Sequence, residues 1–245
     1  MTAILLVVGR SGASIVNPDP MPHGADGAPL GKDGTGKNGV EQWFQCKSPA
    51  QPGQPGNNGD TGPSGENGGN GLSAYAVRLV VDEFVGGSIT LLNHGGDGGD
   101  GGDGGRGGDG SDGGTAGKQP RVCRGVVYGG PGGNGGQGGG AGSGGAAGSA
   151  GDVKILLGPA LAEPPVNVDS KGGSGGKQGN PGAGGSPGKG GRNSDGSYAN
   201  DGLDQGGGDV GTSPGAGYGG SLDMSTDPTA APRSLHISIL PRGHG

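Results

Sequence analysis

The sequence predicts a mostly non-α fold: a bundle of extended helices with three residues per turn, of the polyglycine-II or polyproline-II type, with a small antiparallel β-sheet. Three observations carry this. Glycine makes up 71 of 245 residues. It recurs at every third position in four separate tracts: Gly53 to Gly71, Gly95 to Gly113, Gly130 to Gly151 and Gly173 to Gly191. Short runs of alternating apolar residues separate the tracts. A glycine at each third residue leaves one edge of a three-fold extended helix without side chains, so rods of matched length can pack side by side. Such rods have no internal hydrogen bonds. Bonding between neighbours must therefore offset the extra backbone entropy that glycine loses on folding.

Composition narrows the class further. The glycine fraction is collagen-like, but with 19 prolines the chain falls short of a collagen composition. Hydrophobic residues at 27% and aromatics at 3% are too few for an ordinary side-chain core at this length. The net charge of −6 comes from scattered residues of both signs, which leaves no nucleic-acid footprint. No apolar run reaches the roughly 20 residues a membrane span needs. A disordered glycine-rich linker is the bland alternative. The strict triplet register, the equal tract lengths and the interleaved strands argue against it.

Taken in order, the first ten residues carry five or six apolar side chains and no basic leader, so Ala3–Val8 reads as a strand rather than a signal peptide. Residues 17–52 read as loops with partial triplets at Gly24, Gly27, Gly31 and Gly34. The first tract leads into Ala74–Phe84, where Val77, Leu79 and Val81 share a face. This strand pairs in a hairpin around Gly86-Gly87 with Ile89–Leu92. Strands at Arg121–Tyr128 and Val153–Leu157 follow the second and third tracts. Leu235, Ile237 and Ile239 alternate with polar residues in a last strand, which joins the N-terminal strand in the same sheet. Residues 194–233 read as loops with a weaker fifth rod. The chain is thus expected to form one domain, 1–245, with four rods in 53–193 between N-terminal (1–52) and C-terminal (194–245) segments.

Few residues suggest chemistry. Gly95–Asp100 opens like a calcium-binding β-roll repeat, but the aliphatic position of that repeat falls on Gly102. Asp97, Asp100 and Asp103 would stand about 9 Å apart on a three-fold rod, too far to share one ion, and read as a solvated edge. Gly31–Asn38 approaches a phosphate-binding loop but has Asn38 where Ser or Thr is needed. His23, His94, His236 and His244 form no spaced ligand set, and no nucleophile elbow occurs. The expectation is a non-enzymatic protein without metal or cofactor. Trp43 and Phe44 are the only bulky aromatic pair, and they read first as a small hydrophobic plug beneath a long loop, with a recognition site as the other reading. Together with Tyr198 and Tyr218 they are the candidate ligand-contact residues, since aromatics on loops suit recognition. Cys46 and Cys123 read equally well as two buried thiols or as one disulfide.

The Gly-Gly-X segments Gly95–Gly105, Gly129–Gly139 and Gly172–Gly176 resemble those of polyglycine-II bundle proteins. Two kinds are similar: the receptor-binding adhesins at the tail-fibre tip of T-even-like phages, and the springtail antifreeze proteins. The adhesin resemblance implies recognition by loops at the rod ends, although Trp43 is the single tryptophan of this chain. The antifreeze resemblance implies a flat alanine face, for which Ala141, Ala146, Ala147 and Ala150 are the candidates. The expected function is structural or surface-presenting, with self-assembly. A receptor- or carbohydrate-binding adhesin is the alternative, and ice binding is third. The expected partners are a second copy or a cell-surface receptor, with neither nucleic acid nor a membrane span. The expected location is extracellular, on a cell surface or on a virion.

Overall fold

A computed structural model describes residues 2–8, 10–16, 24–30, 34–81, 87–158, 166–226 and 236–240. It is mostly non-helical, with nine short strands among the described residues. Between the strands run extended segments that hydrogen-bond to one another at every third residue. Among the described residues there are six such rods. Rod 1 comprises 10–16, 24–30 and 34–39, which lie successively along rod 3: Gly12 donates to Asp97 O, Gly24 to Arg106 O and Gly36 to Thr115 O. Rods 2 to 6 are residues 50–75, 95–118, 129–152, 172–192 and 199–221.

The hydrogen bonds assign the neighbours. Rods 1, 3 and 5 run parallel to each other in one layer, and rods 2, 4 and 6 run parallel to each other in a second. Gly53 and Gly56 of rod 2 donate to Tyr128 O and Pro131 O of rod 4, with both numbers rising together. Between layers the direction reverses: Gly102 and Gly105 donate to Glu66 O and Pro63 O. The layers are staggered. Rod 3 bonds to rods 1, 2, 4 and 5, and rod 4 to rods 2, 3, 5 and 6, whereas rods 1 and 6 each bond to two.

Within a triplet each amide has its own target. Gly101 N–H donates to Lys177 O of rod 5 and Gly102 N–H to Glu66 O of rod 2. The third amide, Asp100 N–H, donates 3.0 Å to Ser14 Oγ of rod 1. In its turn Asp100 Oδ1 accepts Lys177 N–H at 2.7 Å. Asp97, Asp103, Asp109 and Asp112 do the same for Ser174, Asn180, Ser186 and Lys189. In the other layer Asn58 accepts from Asn134, whose own amide oxygen accepts from Leu203. The aspartate row is therefore not merely a solvated edge: it satisfies amides that would otherwise lack a protein partner.

At one end the rods continue as strands. β1 (Thr2–Val8), β5 (Ser88–His94) and β7 (Val166–Lys171) lead into rods 1, 3 and 5 and form a parallel sheet in that order. Rods 2, 4 and 6 run into β4 (Ala76–Val81), β6 (Val153–Leu157) and β8 (Leu222–Thr226). These are also parallel, and β9 (His236–Leu240) joins β4 antiparallel, giving the order β8-β6-β4-β9. Alternation sets the buried faces: Val77, Leu79 and Val81 of β4 and Val153, Ile155 and Leu157 of β6 pack with Leu91 of β5. This aliphatic cluster lies between the two sheets. Each fully buried side chain contributes about 1.5–3 kcal/mol.

Several expectations are corrected. Among the described residues there are six rods, not four: 10–16, 24–30 and 34–39 line up as one, most of it where loops with partial triplets were expected, and 199–221 form another, where loops with a weaker fifth rod were expected. The expected antiparallel sheet is two sheets, parallel apart from β9. β4 and β5 do not form a hairpin, because they continue rods of opposite layers and so enter opposite sheets. β1 and β9 also lie in different sheets, β1 beside β5 and β9 beside β4. The described residues of the expected hairpin begin again at Gly87, and Leu235 lies outside them. Arg121–Tyr128 is a connection, not a strand; β2 (Val40–Gln42) and β3 (Gln45–Ser48) form a hairpin where a loop was expected. Cys46 and Cys123 are joined in a disulfide, with Cα atoms 4.8 Å apart.

Candidate functional site

Alternation of the rods decides where the connections fall. The β2–β3 hairpin joins rods 1 and 2, residues 119–128 join rods 3 and 4, and residues 193–198 join rods 5 and 6. All three lie at the end opposite the sheets. The disulfide ties the hairpin to the second connection. Ser194 and Val127 tie the second to the third: Ser194 N–H donates to Val127 O, and Val127 N–H to Ser194 Oγ. Asn193 Oδ1 also accepts Gly129 N–H at 2.7 Å. The loop end is thus one hydrogen-bonded and covalently linked unit.

Trp43 and Phe44 form the two-residue turn of the hairpin, between the paired Gln42 and Gln45. Both have positive φ, 51° and 60°. A two-residue hairpin of this hand favours Asn and Gly. Two bulky aromatics in the left-handed region cost on the order of 1–3 kcal/mol each. Nor does burial offset that cost, because Trp43 is 85% exposed and Phe44 93%. Tyr128, at the start of rod 4, and Tyr198, bridged antiparallel to Arg192, are exposed at the same end.

Of the four expected contact residues, then, Trp43, Phe44 and Tyr198 share one end. Tyr218 does not. It lies on rod 6 beside Ser149, 20 residues along from Tyr198, which in an extended three-fold segment is roughly 60 Å. Tyr128 was missed, although its place directly before the third tract marks it as a rod end once the rods alternate. The four alanines of rod 4 form no flat face: Ala146 is exposed, while Ala150 is 2% exposed.

Two surface grooves border these loops. One, of about 480 Å³, is lined by Asn38, Gly39, Glu41 and residues 118–121. The other, of about 290 Å³, lies between 115–118 and 192–196. Lys118 lines both. Among the described residues no cluster of three or more His, Cys, Asp or Glu forms a metal-ligand set. The aspartate row is already engaged with backbone amides, so a thermal melt should be unchanged by a calcium chelator; a large loss of stability on chelation would show that the row binds metal.

Three carboxyls are held below the usual range. Asp109 is lowered first by the side-chain hydrogen bond from Arg106 and then by the Ser186 amide. Asp169 is lowered first by Lys171 and also by His94, and Asp195 by the hydroxyl and amide of Ser197. A depressed folded pKa gives stability that is present above the unfolded value, about 3.9, and lost as pH falls through the folded value. The melting temperature should therefore be flat between about pH 7 and 5 with respect to these groups and decline below about pH 4. A decline beginning near pH 6 would point to histidine instead.

Neither a protein-family model nor a curated protein matches the chain. A solved structure that is similar is the nine polyproline type II helical bundle springtail antifreeze protein from Granisotoma rainieri, 26% identical over 73% of this chain and 97% of that one. The TM-score is 0.14, so the two do not superpose as whole folds. Among the described residues no helix is long and apolar enough to cross a membrane. The disulfide is compatible with an oxidising, extracellular setting.

Proposed function

We propose that the chain is a non-enzymatic presentation module: one domain of polyglycine-II-type rods that holds a carbohydrate- or receptor-binding set of loops at one end, outside the cell or on a virion. The observation that carries this reading is the Trp43-Phe44 turn. Two aromatics stand almost fully exposed in a backbone conformation that disfavours them, on a hairpin that the disulfide tethers. Stability alone does not account for that arrangement, whereas a flat apolar surface for a ligand does. Rods bonded to their neighbours at each triplet supply the rigid mount that such a surface needs.

The test uses a double substitution that favours the turn. Trp43→Asn with Phe44→Gly should raise stability, by about 2–6 kcal/mol for the two positions together, because both residues suit positive φ. It should also abolish binding on a glycan array or in a cell-surface pull-down. Loss of binding by a protein that melts higher cannot be attributed to misfolding. Full retention of binding by the variant would overturn the reading.

Self-assembly remains the second reading, favoured by the edge of rod 6. There Gly207, Ala216 and Gly219 are small and exposed, and rod 6 bonds to rods 4 and 5 alone among the described residues. Sedimentation of the intact protein across a concentration series tests it, and a strictly monomeric species at high concentration would exclude it.

A further inference from the structure

The loop end is cationic in a chain that is acidic as a whole. Segments 40–48, 115–128 and 189–201 carry Lys47, Lys118, Arg121, Arg124, Lys189 and Arg192 against Glu41, Asp195 and Asp201, while the chain carries −6. All six cationic residues are exposed. None has an ion-pair partner among the described residues, whereas Arg106, Lys154 and Lys171 elsewhere do. Two of the three carboxylates are engaged locally: Asp195 accepts from Ser197, and Asp201 accepts Gly190 N–H at 2.8 Å. Lys118 and Arg121 line the larger groove and Lys118 and Arg192 the smaller, so unpaired cations stand along both.

We infer that the loop end binds an acidic polysaccharide, with Trp43 and Phe44 against sugar rings and Lys118, Arg121 and Arg192 on its carboxylate or sulfate groups. The inference rests on the binding reading above and names its ligand class. Exposed aromatic faces suit the C–H-rich faces of sugar rings, and unpaired guanidinium groups suit carboxylate and sulfate through paired N–H donors. A long polyanion lying along the rods is disfavoured, because the triplet row of rod 3 carries Asp112, Asp109, Asp103, Asp100 and Asp97 against one cation, Arg106, and its net negative charge repels it. The site therefore takes a short stretch or a chain end. The same row argues against a nucleic acid tracked over many phosphates, which needs a continuous basic stripe.

Direct titration of the intact protein tests this with four probes: a polyuronate, a neutral glucan of equal length, a single-stranded oligonucleotide, and vesicles containing anionic lipid. The expected result is polyuronate binding that weakens with salt, with little or no binding of the other three. Lys118→Ala with Arg121→Ala should weaken it at least tenfold, and Arg192→Gln several-fold. Lys154→Ala, at the sheet end, should leave it unchanged. Equal binding of the neutral glucan would overturn the acidic ligand and leave the aromatic loop-end reading standing. Preference for the oligonucleotide or the vesicles would overturn the polysaccharide. Polyuronate binding indifferent to the loop-end substitutions would move the site elsewhere and overturn the inference. Binding of no probe, with the array and pull-down also negative, would remove both readings together.

Discussion

Gly139→Ala will destabilise the protein severely, while Gln137→Ala, two residues away on the same rod, will be close to neutral. Gly139 lies among rods 2, 3 and 5: its amide donates to Gly105 O, and its carbonyl accepts from Gly182. An added Cβ would overlap Pro63 O of rod 2. That atom is backbone, so rods 2 and 4 must separate. Separation breaks the flanking bonds from Gly62 N–H to Gln137 O and from Gly65 N–H to Gly140 O, both 2.8 Å. Stranded buried amides cost about 1–3 kcal/mol each, so the loss is on the order of 3–6 kcal/mol. For a chain of this size that corresponds to a fall of roughly 10–20 °C in Tm. Gln137 projects outward and is exposed, and its truncation should stay within about 0.5 kcal/mol. Asp103→Val should fall between the two at about 1 kcal/mol, since Asp103 Oδ1 accepts Asn180 N–H. Equal shifts for the three variants in thermal melts would mean that the triplet register carries no packing information.

Reduction of the Cys46–Cys123 disulfide, or its replacement by two serines, should cost about 4 kcal/mol. The bond spans a sequence separation of 77 residues, and in the chain-entropy account a loop of that length removes about this much freedom from the unfolded state. The native state should change mostly at the hairpin. Residues 40–48 are all exposed and have little packing besides the bridge, so their amides should lose protection from hydrogen exchange first. Ligand binding should weaken with them, since the hairpin that carries Trp43 and Phe44 would no longer be tethered to the 119–128 connection. Melts with and without reductant, with exchange resolved by segment, measure both effects. A change below about 1 kcal/mol would mean that the rods already close this loop in the unfolded ensemble.

Much of the rod array is legible in the sequence, and for a stated reason. Rods 3 and 4 are nearly continuous Gly-Gly-X, and these are the rods with four neighbours: two of every three positions face backbone and can carry no side chain. Rods 1 and 6 have two neighbours each, so fewer positions require glycine, and their sparser triplets read as loops with partial triplets and as loops with a weaker fifth rod. The third position of the central triplets is Asp, Asn or Ser at many steps because its side chain caps an amide of the next rod. That acceptor chemistry is visible in the sequence, but its target is not.

The sequence by itself determined that triplet rods form and that the β4 and β9 segments alternate apolar and polar positions. Only the tertiary structure decided which rod lies beside which. Contacts between glycine edges are backbone on backbone and nearly interchangeable, so they carry little pairing information. Pairing is settled by the chain connections and by side-chain caps, many of them from residues 69 to 86 positions away, such as Ser143 for Thr212 and Ser14 for Asp100. The same alternation of rods brings Trp43, Tyr128, Tyr198 and the cations of three distant segments to one end, a convergence that no local pattern encodes.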